Sequence, residues 1–254
     1  MVNEKAPSIS VIVPTLNEEK HIGFLLSSLE NQTQVSFETL IVDGGSKDKT
    51  VEIARKYNAK VIVLPGCGEF SSRNLGAKKA KGKLLIFTCA DIIFPDGLLL
   101  GVKKKFEENP DLISLTGPGY PFNASFFGRM EYLIYNLVRC FFARLPRPLK
   151  RFSTSTNFLV VKKECFDELC GFDVGEINAD GMMGKKLLKR GEVAFFLNVS
   201  VWISARRIEK MGFLGFNRHY LYVFENLFFF LSKTSIIRNL KTHSKMKHRK
   251  IHEM

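Results

Sequence analysis

The stretch that decides the fold reads Leu40-Ile41-Val42-Asp43-Gly44-Gly45-Ser46-Lys47-Asp48-Lys49-Thr50. An apolar run ends at an aspartate, passes through two glycines and a serine, and enters a polar helical pattern. This order is typical of a buried strand that leads through a tight turn into a helix. Ligands of open α/β sheets bind at the carboxyl ends of the strands. We therefore expect this turn to contact a ligand through Asp43, Gly44 and Ser46.

A second strand end of the same kind reads Ile86-Phe87-Thr88-Cys89-Ala90-Asp91. It again places an aspartate just beyond a buried apolar run. Because the carboxyl ends of parallel strands meet at one edge of a sheet, the two aspartates are expected to face one crevice. Asp43 and Asp91 together predict a site for a nucleotide and a metal.

Around these turns the apolar pattern alternates between the periods of strands and helices. Predicted strands are residues 8–13, 39–42, 60–64, 83–88, 112–116 and 156–161, with one or two more in 192–203. Predicted helices begin near residue 18 and cover 47–57, 70–81, 97–108 and 181–190, with Ser46 as the N-cap of the second. The alternation over residues 8–88 predicts an α/β fold, in which helices cover both faces of a mainly parallel sheet.

The charge of the chain favours anionic partners. Its 254 residues carry a formal net charge of +13. Such a balance suits phosphate ligands, nucleic acid or an acidic membrane surface, and a solvated basic surface is the alternative. No helix-turn-helix, zinc-site or aromatic RNA-platform pattern accompanies the charge, so we expect no nucleic acid partner.

Cysteine usage indicates a reducing compartment. The five cysteines form no CxxC pair and their number is odd, which argues against both a zinc site and a disulfide framework. The N-terminus shows no signal-peptide pattern. We therefore expect a cytoplasmic protein.

Two segments indicate contact with a membrane surface. Residues 120–152 are aromatic, apolar and basic, and residues 213–237 are rich in Phe, Leu and Tyr but interrupted by polar side chains. The second segment is too interrupted to span a bilayer. With the basic tail after it, we expect it to lie peripherally on the inner face of the cell membrane. A helix packed on the sheet is the alternative. Residues 1–212 are then the main domain and 213–254 the membrane-associating helix and tail.

Six motifs occur in order over about residues 8–212. They read Val11-Ile12-Val13-Pro14-Thr15-Leu16-Asn17-Glu18, Asp43-Gly44-Gly45-Ser46-Lys47-Asp48-Lys49-Thr50, Ser72-Arg73-Asn74-Leu75-Gly76, Cys89-Ala90-Asp91, Gly171-Phe172-Asp173 followed by Asp180, and Ser204-Ala205-Arg206-Arg207. Together they resemble the family 2 glycosyltransferases, which have the Rossmann-like GT-A fold. The resemblance implies an inverting glycosyltransferase. Its donor would be a nucleotide diphosphate sugar, UDP-linked in preference to GDP-linked, and its acceptor a membrane-bound, lipid-linked or glycan molecule.

The resemblance also assigns the nucleoside end of the site. It makes Asp43 the nucleobase-binding aspartate, since a carboxylate can accept the imino hydrogen of uracil, whereas a simple turn aspartate is the alternative. Arg73 carries a planar donor fork that suits a phosphate or a base carbonyl, unless it is merely exposed. The nucleoside pocket is expected to be lined by Pro14, Thr15, Asn17 and Glu18, with helix capping as the alternative role of Asn17.

At the diphosphate end the family has a DxD motif. Asp91 occupies its last position, Ala90 its middle position, and Cys89 replaces the first acid. By resemblance Asp91 binds Mg²⁺ or Mn²⁺, which stabilises the charge of the leaving diphosphate. A thiol suits softer metals, so Cys89 weakens the case for that cation. Arg206 and Arg207 would then clamp the diphosphate, unless they form a solvated basic pair.

The proposed catalytic residue is Asp180, in a motif where Ala179 replaces the family's glutamate. By resemblance Asp180 is the general base that removes the proton of the acceptor hydroxyl. A helix N-cap is the alternative, and an ionised lipid phosphate as acceptor would need no base. Because both Cys89 and Ala179 depart from the family pattern, a non-catalytic binding or scaffold subunit is the rival interpretation.

Overall fold

The computed structural model describes residues 6–175 and 179–206. Within these residues the strands are β1 (Ile9–Thr15), β2 (Phe37–Asp43), β3 (Lys60–Val63), β4 (Leu84–Thr88), β5 (Ile92–Ile93), β6 (Leu112–Thr116), β7 (Gly119–Pro121), β8 (Phe158–Lys162), β9 (Glu192–Phe195) and β10 (Val201–Ile203). The helices are α1 (Ile22–Glu30), α2 (Thr50–Lys56), α3 (Glu69–Lys79), α4 (Leu98–Glu108), α5 (Phe126–Ala143), α6 (Arg147–Lys150), α7 (Lys163–Glu168) and α8 (Ala179–Leu187). A short 3-10 turn covers Arg151–Ser153.

The central sheet follows the order β3-β2-β1-β4-β8-β6-β9 in the described part of the chain. β1 runs parallel to β2 and β4, and β2 runs parallel to β3. β8 is antiparallel to both of its neighbours, β4 and β6. The predicted mainly parallel sheet is confirmed. The reversal of β8 could not be predicted, because an apolar run has the same pattern in either direction.

Helices cover both faces of this sheet, as predicted. Val11 and Val13 of β1 share a buried cluster with side chains of α1, α2 and α4. Ile12, which points the other way, packs with side chains of α3, α7 and α8. Successive side chains of a strand alternate between faces, so a strand buried on both sides needs a continuous apolar run. Gly76 lets α3 come close to β1, since a Cβ there would lie 2.5 Å from Ile12 Cγ2.

A small second sheet has the order β5-β10-β7 in the described residues. β10 is antiparallel to β5 and parallel to β7. The backbone N–H of Ser204, just after β10, donates to the carbonyl of Asp91 at 3.0 Å. This pairing carries the late segment Ser204–Arg206 back to the end of β4, although the two are more than a hundred residues apart in the chain.

The predicted N-cap role of Ser46 is wrong. α2 begins at Thr50, whose backbone N–H donates to Asp48 Oδ1 at 3.0 Å. Residues 44–49 form a loop, because the side chain of Asp43 bonds to the backbone that would otherwise begin the helix. Two further boundaries shift: α1 begins at Ile22 instead of residue 18, and α8 begins two residues earlier than predicted.

The predicted C-terminal helix at residues 213–237, the basic tail and the domain boundary at residue 212 lie outside the described residues. None of the helices described in 6–175 and 179–206 combines the length and the hydrophobicity needed to cross a bilayer.

Candidate active site

The loop after β2 is built around the carboxylate of Asp43, which is fully buried. Its Oδ1 accepts the backbone N–H groups of Gly45 at 2.9 Å and Ser46 at 2.7 Å. Its Oδ2 accepts the hydroxyls of Thr15 at 2.9 Å and Ser46. A carboxylate offers about four lone-pair positions, and these four bonds occupy them.

Asp43 therefore holds the loop in the described geometry and presents no spare acceptor to a nucleobase. Its expected role in base binding stays a prediction that this hydrogen-bond pattern does not support. Gly44 and Ser46, which are half-buried, lie at the carboxyl edge as expected. Gly44 donates its N–H to the carbonyl of Thr15 at 2.8 Å, so the turn is tied to β1 as well as to β2.

The loop after β1 is joined to the Asp43 loop by polar contacts. The backbone N–H of Asn17 donates to Ser46 Oγ at 2.8 Å, and Asn17 Oδ1 accepts the N–H of Lys47 at 2.9 Å. Glu18 N–H donates to Thr50 Oγ1 at 2.7 Å. Asn17 has φ of 53°, a left-handed conformation that asparagine tolerates, and it caps no helix. The predicted pocket residues Pro14, Thr15, Asn17 and Glu18 do gather at one sheet edge, in two mutually braced loops.

Arg73 differs from its prediction, because its side chain is fully buried and turned into the protein. Its Nη1 donates to the carbonyl of Thr88 at 2.9 Å, and its Nη2 reaches Glu69 Oε1 at 2.8 Å and Cys89 Sγ at 3.4 Å. Burial opposes the charge, but Glu69 and Cys89 together raise the pKa of Arg73. The guanidinium therefore braces the end of β4, and the predicted contact with a phosphate or base is not what this geometry offers.

Cys89 stands where the family pattern has an acidic residue, and its sulfur is already in contact with other side chains. Besides the contact with Arg73, Cys89 Sγ lies 3.8 Å from Asn157 Oδ1. Ala90, the middle residue of the motif, is buried. Cys89 thus belongs to the packing between β4 and the segment before β8.

Arg206 lies between two carboxylates at the same sheet edge. Its Nη1 and Nη2 donate to the two oxygens of Glu18 at 2.6 Å and 2.7 Å. Its Nε donates to Asp91 Oδ2 at 2.7 Å. Burial works against the charge, yet these bonds raise the pKa of Arg206 well above its ordinary value. Asp91, Glu18 and Arg206 are thus in direct contact at one edge of the sheet, and their role in donor binding stays a prediction. Arg207 lies outside the described residues.

His21 lies near this group and was not predicted. Burial and the proximity of Arg206 lower its pKa, while Glu18 and Asp91 oppose that shift. The imidazole is therefore mostly neutral near pH 7. No sequence motif marked it, because its position next to the site follows from where α1 begins.

The donor set does not fit a divalent cation. Glu18 uses both carboxylate oxygens on Arg206, Asp91 shares one with it, and Cys89 offers only an engaged sulfur. Among residues 6–175 and 179–206, no three His, Cys, Asp or Glu side chains cluster closely enough to hold a metal. Hard cations prefer several oxygen ligands. The positive charge at this edge is instead that of a guanidinium.

Asp180 lies in the first turn of α8, and its Oδ1 accepts the N–H of Gly181 at 3.0 Å. The residue keeps some contact with solvent, but its carboxyl group is enclosed enough for burial to raise its pKa. The Glu69 carboxylate adds to the rise, and Arg73 opposes it. Asp180 is therefore electrostatically coupled to Glu69 and Arg73, neither of which is adjacent in sequence.

Comparison with known proteins decides the family. The sequence profile described as Glycosyl transferase family 2 matches residues 10–170.

The chain belongs to glycosyl transferase family 2.

Two relatives of the family 2 chain are informative. Glycosyltransferase GlyA of Streptococcus pneumoniae serotype 4 is 27% identical over 216 residues, which cover 80% of this chain and 31% of GlyA. The poly(ribitol-phosphate) beta-N-acetylglucosaminyltransferase TarS of Staphylococcus aureus is 41% identical over 90 residues, covering 32% of this chain and 16% of TarS. The matched regions thus span about a third or less of these relatives.

Solved structures share the architecture and confirm the GT-A fold. A crystal structure of S. aureus TarS 1–349 in complex with UDP-GlcNAc aligns with TM-score 0.59 at 20% identity, covering 78% of this chain and 58% of that one. The mannosyltransferase PcManGT from Pyrobaculum calidifontis, in complex with GDP-Man and Mn²⁺, aligns with TM-score 0.59 at 18% identity, covering 87% and 65%. At these identities the structural similarity is evidence for the fold alone.

Proposed function

We propose that this family 2 chain transfers a sugar from a nucleoside diphosphate donor to an acceptor hydroxyl, with inversion at the anomeric carbon. The observation that carries the proposal is that the Asp43 loop, the Asn17 loop and Arg206 meet at the carboxyl edge of the sheet, while Asp180 interacts electrostatically with Arg73 at the end of β4. UDP is favoured over GDP, because the relative with the higher local identity, TarS, has a structure with UDP-GlcNAc.

The guanidinium of Arg206 suits the leaving diphosphate. Departure of the nucleoside diphosphate builds negative charge on phosphate oxygens, and a planar fork of N–H donors binds two such oxygens at once. In this structure the fork is bonded to Glu18. The side chains of Arg206 and Glu18 both keep some contact with solvent. A diphosphate competes with Glu18 for the same N–H groups while Asp91 keeps hold of Nε.

Asp180 is proposed as the general base. Burial raises the pKa of Asp180, and a carboxylate with a raised pKa is a stronger proton acceptor. It would take the proton of the acceptor hydroxyl as that oxygen attacks the anomeric carbon from the side opposite the diphosphate. This single displacement inverts the anomeric configuration.

Thermal-shift measurements on the full chain test the donor assignment. We expect UDP and UDP-sugars to raise the Tm, by about 5–10 °C at a hundredfold excess over Kd, with smaller shifts for GDP and ADP. Because the donor set does not fit a divalent cation, the shift should persist in EDTA and change little with Mn²⁺. The absence of a shift with any nucleotide would refute the proposal. Nucleotide binding without UDP release for any acceptor would instead support the non-catalytic interpretation.

A further inference from the structure

Helix α5 presents an apolar stripe to solvent along its whole length. Its side chains Phe126, Phe127 and Leu137 are 72%, 71% and 60% exposed, whereas core side chains of this fold are almost completely covered. The exposed apolar residues of the stripe are Phe126, Phe127, Met130, Leu133, Ile134, Leu137, Val138 and Phe141. Their spacing of three, four and seven residues places them on one side of the helix.

The opposite side of α5 is anchored by buried hydrogen bonds. Asn136 exchanges two bonds with the backbone of Gly119, at 2.8 Å and 3.2 Å. Arg139, one of the basic residues of the segment 120–152, is buried and donates to the carbonyls of Ser153 and Gly117. These contacts fix the rotation of the helix, so the apolar stripe is held outward and cannot turn into the described core.

The stripe continues onto the small sheet. Tyr120 and Trp202 are exposed there, with ring centroids 6.1 Å apart, and Phe122 is exposed beside them. Leu133 and Arg129 of α5 line one groove together with these three aromatic residues. We call the stripe of α5 together with Tyr120, Phe122 and Trp202 the apolar face. Contiguous exposed apolar surface of this kind marks an interaction site.

The charge around the apolar face is positive. Residues 119–153 contain six Arg and Lys but a single acidic residue, Glu131. Arg129, Arg144 and Arg147 are exposed. The carboxylate of Glu131 is buried without a hydrogen-bond partner among the described residues, so it is not part of the exposed surface, and burial raises its pKa. An apolar stripe bordered by basic side chains is the pattern of helices that lie on anionic membranes.

We propose that the apolar face docks on an anionic lipid bilayer, on its cytoplasmic side, and thereby supplies the proposed transfer reaction with a lipid-linked acceptor. This inference rests on the proposed function for the identity of the acceptor. Trp202 of the face lies four residues before Arg206, so the bilayer would meet the protein next to the charged edge. A symmetric contact between two copies is disfavoured, because it would bring the same arginines together. None of the five cysteines, all of which lie in the described residues, forms a disulfide, which suits the reducing cytoplasmic side.

Flotation of the full chain with vesicles tests the docking face. Phosphatidylglycerol-containing vesicles are compared with pure phosphatidylcholine at low and high salt, for the wild type and for the variant Ile134→Gln, Leu137→Gln, Phe141→Gln. Glutamine keeps the helix propensity and the charge. We expect the wild type to float with anionic vesicles, more weakly at high salt, and the variant to bind at least about tenfold more weakly. Phe24→Gln on α1 is the matched control, since Phe24 is 58% exposed and lies outside the face.

Two results would overturn the docking proposal. One is flotation of the triple variant equal to that of the wild type, which would assign membrane binding to another part of the chain. The other is a wild type that stays with the soluble fraction while forming dimers that the triple variant does not form. The UDP-induced thermal shift is measured on the same samples. If the shift occurs and flotation does not, the docking face is wrong and the donor site stands. If flotation occurs without the shift, the docking face stands and the donor site is wrong.

Discussion

Replacement of Asp180 by Asn is expected to lower the rate of sugar transfer about 10²–10⁴-fold, the usual contribution of a positioned general base. The variant should nevertheless fold as stably as the wild type or more so. Burial raises the pKa of Asp180, which means that the folded protein disfavours the charged form. Asparagine has nearly the same shape and no charge, so it removes that cost while it removes the base.

The pH dependence of this effect has a defined sign. A carboxyl group whose pKa is raised by folding stabilises the protein below its unfolded pKa and loses that contribution as pH rises through the folded pKa. The Tm of Asp180→Asn relative to the wild type should therefore increase as the pH rises above 3.8, the ordinary pKa of the group. Over the same range the wild-type kcat/KM should rise, since the base must be ionised.

Asp173→Asn is the matched control for Asp180→Asn. Asp173 lies in the same motif and pairs with Lys186 at 2.6 Å, but both side chains are partly exposed. Loss of that pair should cost little stability and leave the rate within a few fold. If Asp180→Asn also kept its rate within a few fold, Asp180 would not be the base, and an acceptor that is already ionised, such as a lipid phosphate, would be indicated.

Replacement of Asp43 by Ala is expected to give the largest loss of stability. It removes the acceptor of four hydrogen bonds in a fully buried position, and the backbone N–H groups of Gly45 and Ser46 lose their partners. Buried donors without partners cost about 1–3 kcal/mol each, so we expect a loss of about 3 kcal/mol in the free energy of unfolding. For a chain of this size that lowers the Tm by about 6–12 °C.

Asp43→Asn separates the loop role from a role in base binding. The amide keeps one oxygen for the two backbone N–H groups, and its NH₂ group faces the hydroxyls of Thr15 and Ser46, which can rotate to accept. We expect a loss of only about 1 kcal/mol in denaturant unfolding, with the UDP affinity nearly unchanged. A stable Asp43→Asn variant that no longer binds UDP would restore Asp43 as a base-binding residue. An Asp43→Ala variant as stable as the wild type would contradict its role in the loop.

The sequence predicted the fold well where local pattern decides it. The first four strands and their helices follow from the alternation of periods, and the two aspartate turns marked the edge at which the site forms. The direction of β8 and the pairing of β10 with β5 and β7 could not be predicted, because short apolar strands carry no information on their partners.

The sequence predicted which residues lie near the candidate site better than it predicted how they contact one another. Motif order placed Glu18, Asp91 and Arg206 together, but only the structure shows that the guanidinium joins the two carboxylates. Arg73 was expected to contact a phosphate or a base, with simple exposure as the alternative, and Arg139 belongs to the basic segment 120–152. Arg73 is buried on the carbonyl of Thr88, and Arg139 is buried on the carbonyls of Ser153 and Gly117. Backbone acceptors of this kind have no sequence signature. Glu69 was missed although it stands four residues before Arg73 on one helix, a spacing that indicates an ion pair. Asn157 was missed because its contact with Cys89 has no sequence pattern.

The proposed transfer requires a nucleotide to bind between the Asn17 and Asp43 loops, with its diphosphate on Arg206. A crystal structure of the full chain with UDP, grown in EDTA, tests this most directly. We expect the nucleoside between residues 14–18 and 43–46. We also expect the Arg206 fork to turn from Glu18 to the diphosphate while Nε stays on Asp91. UDP bound elsewhere, or bound here with the Arg206–Glu18 pair intact and no guanidinium contact to phosphate, would contradict it.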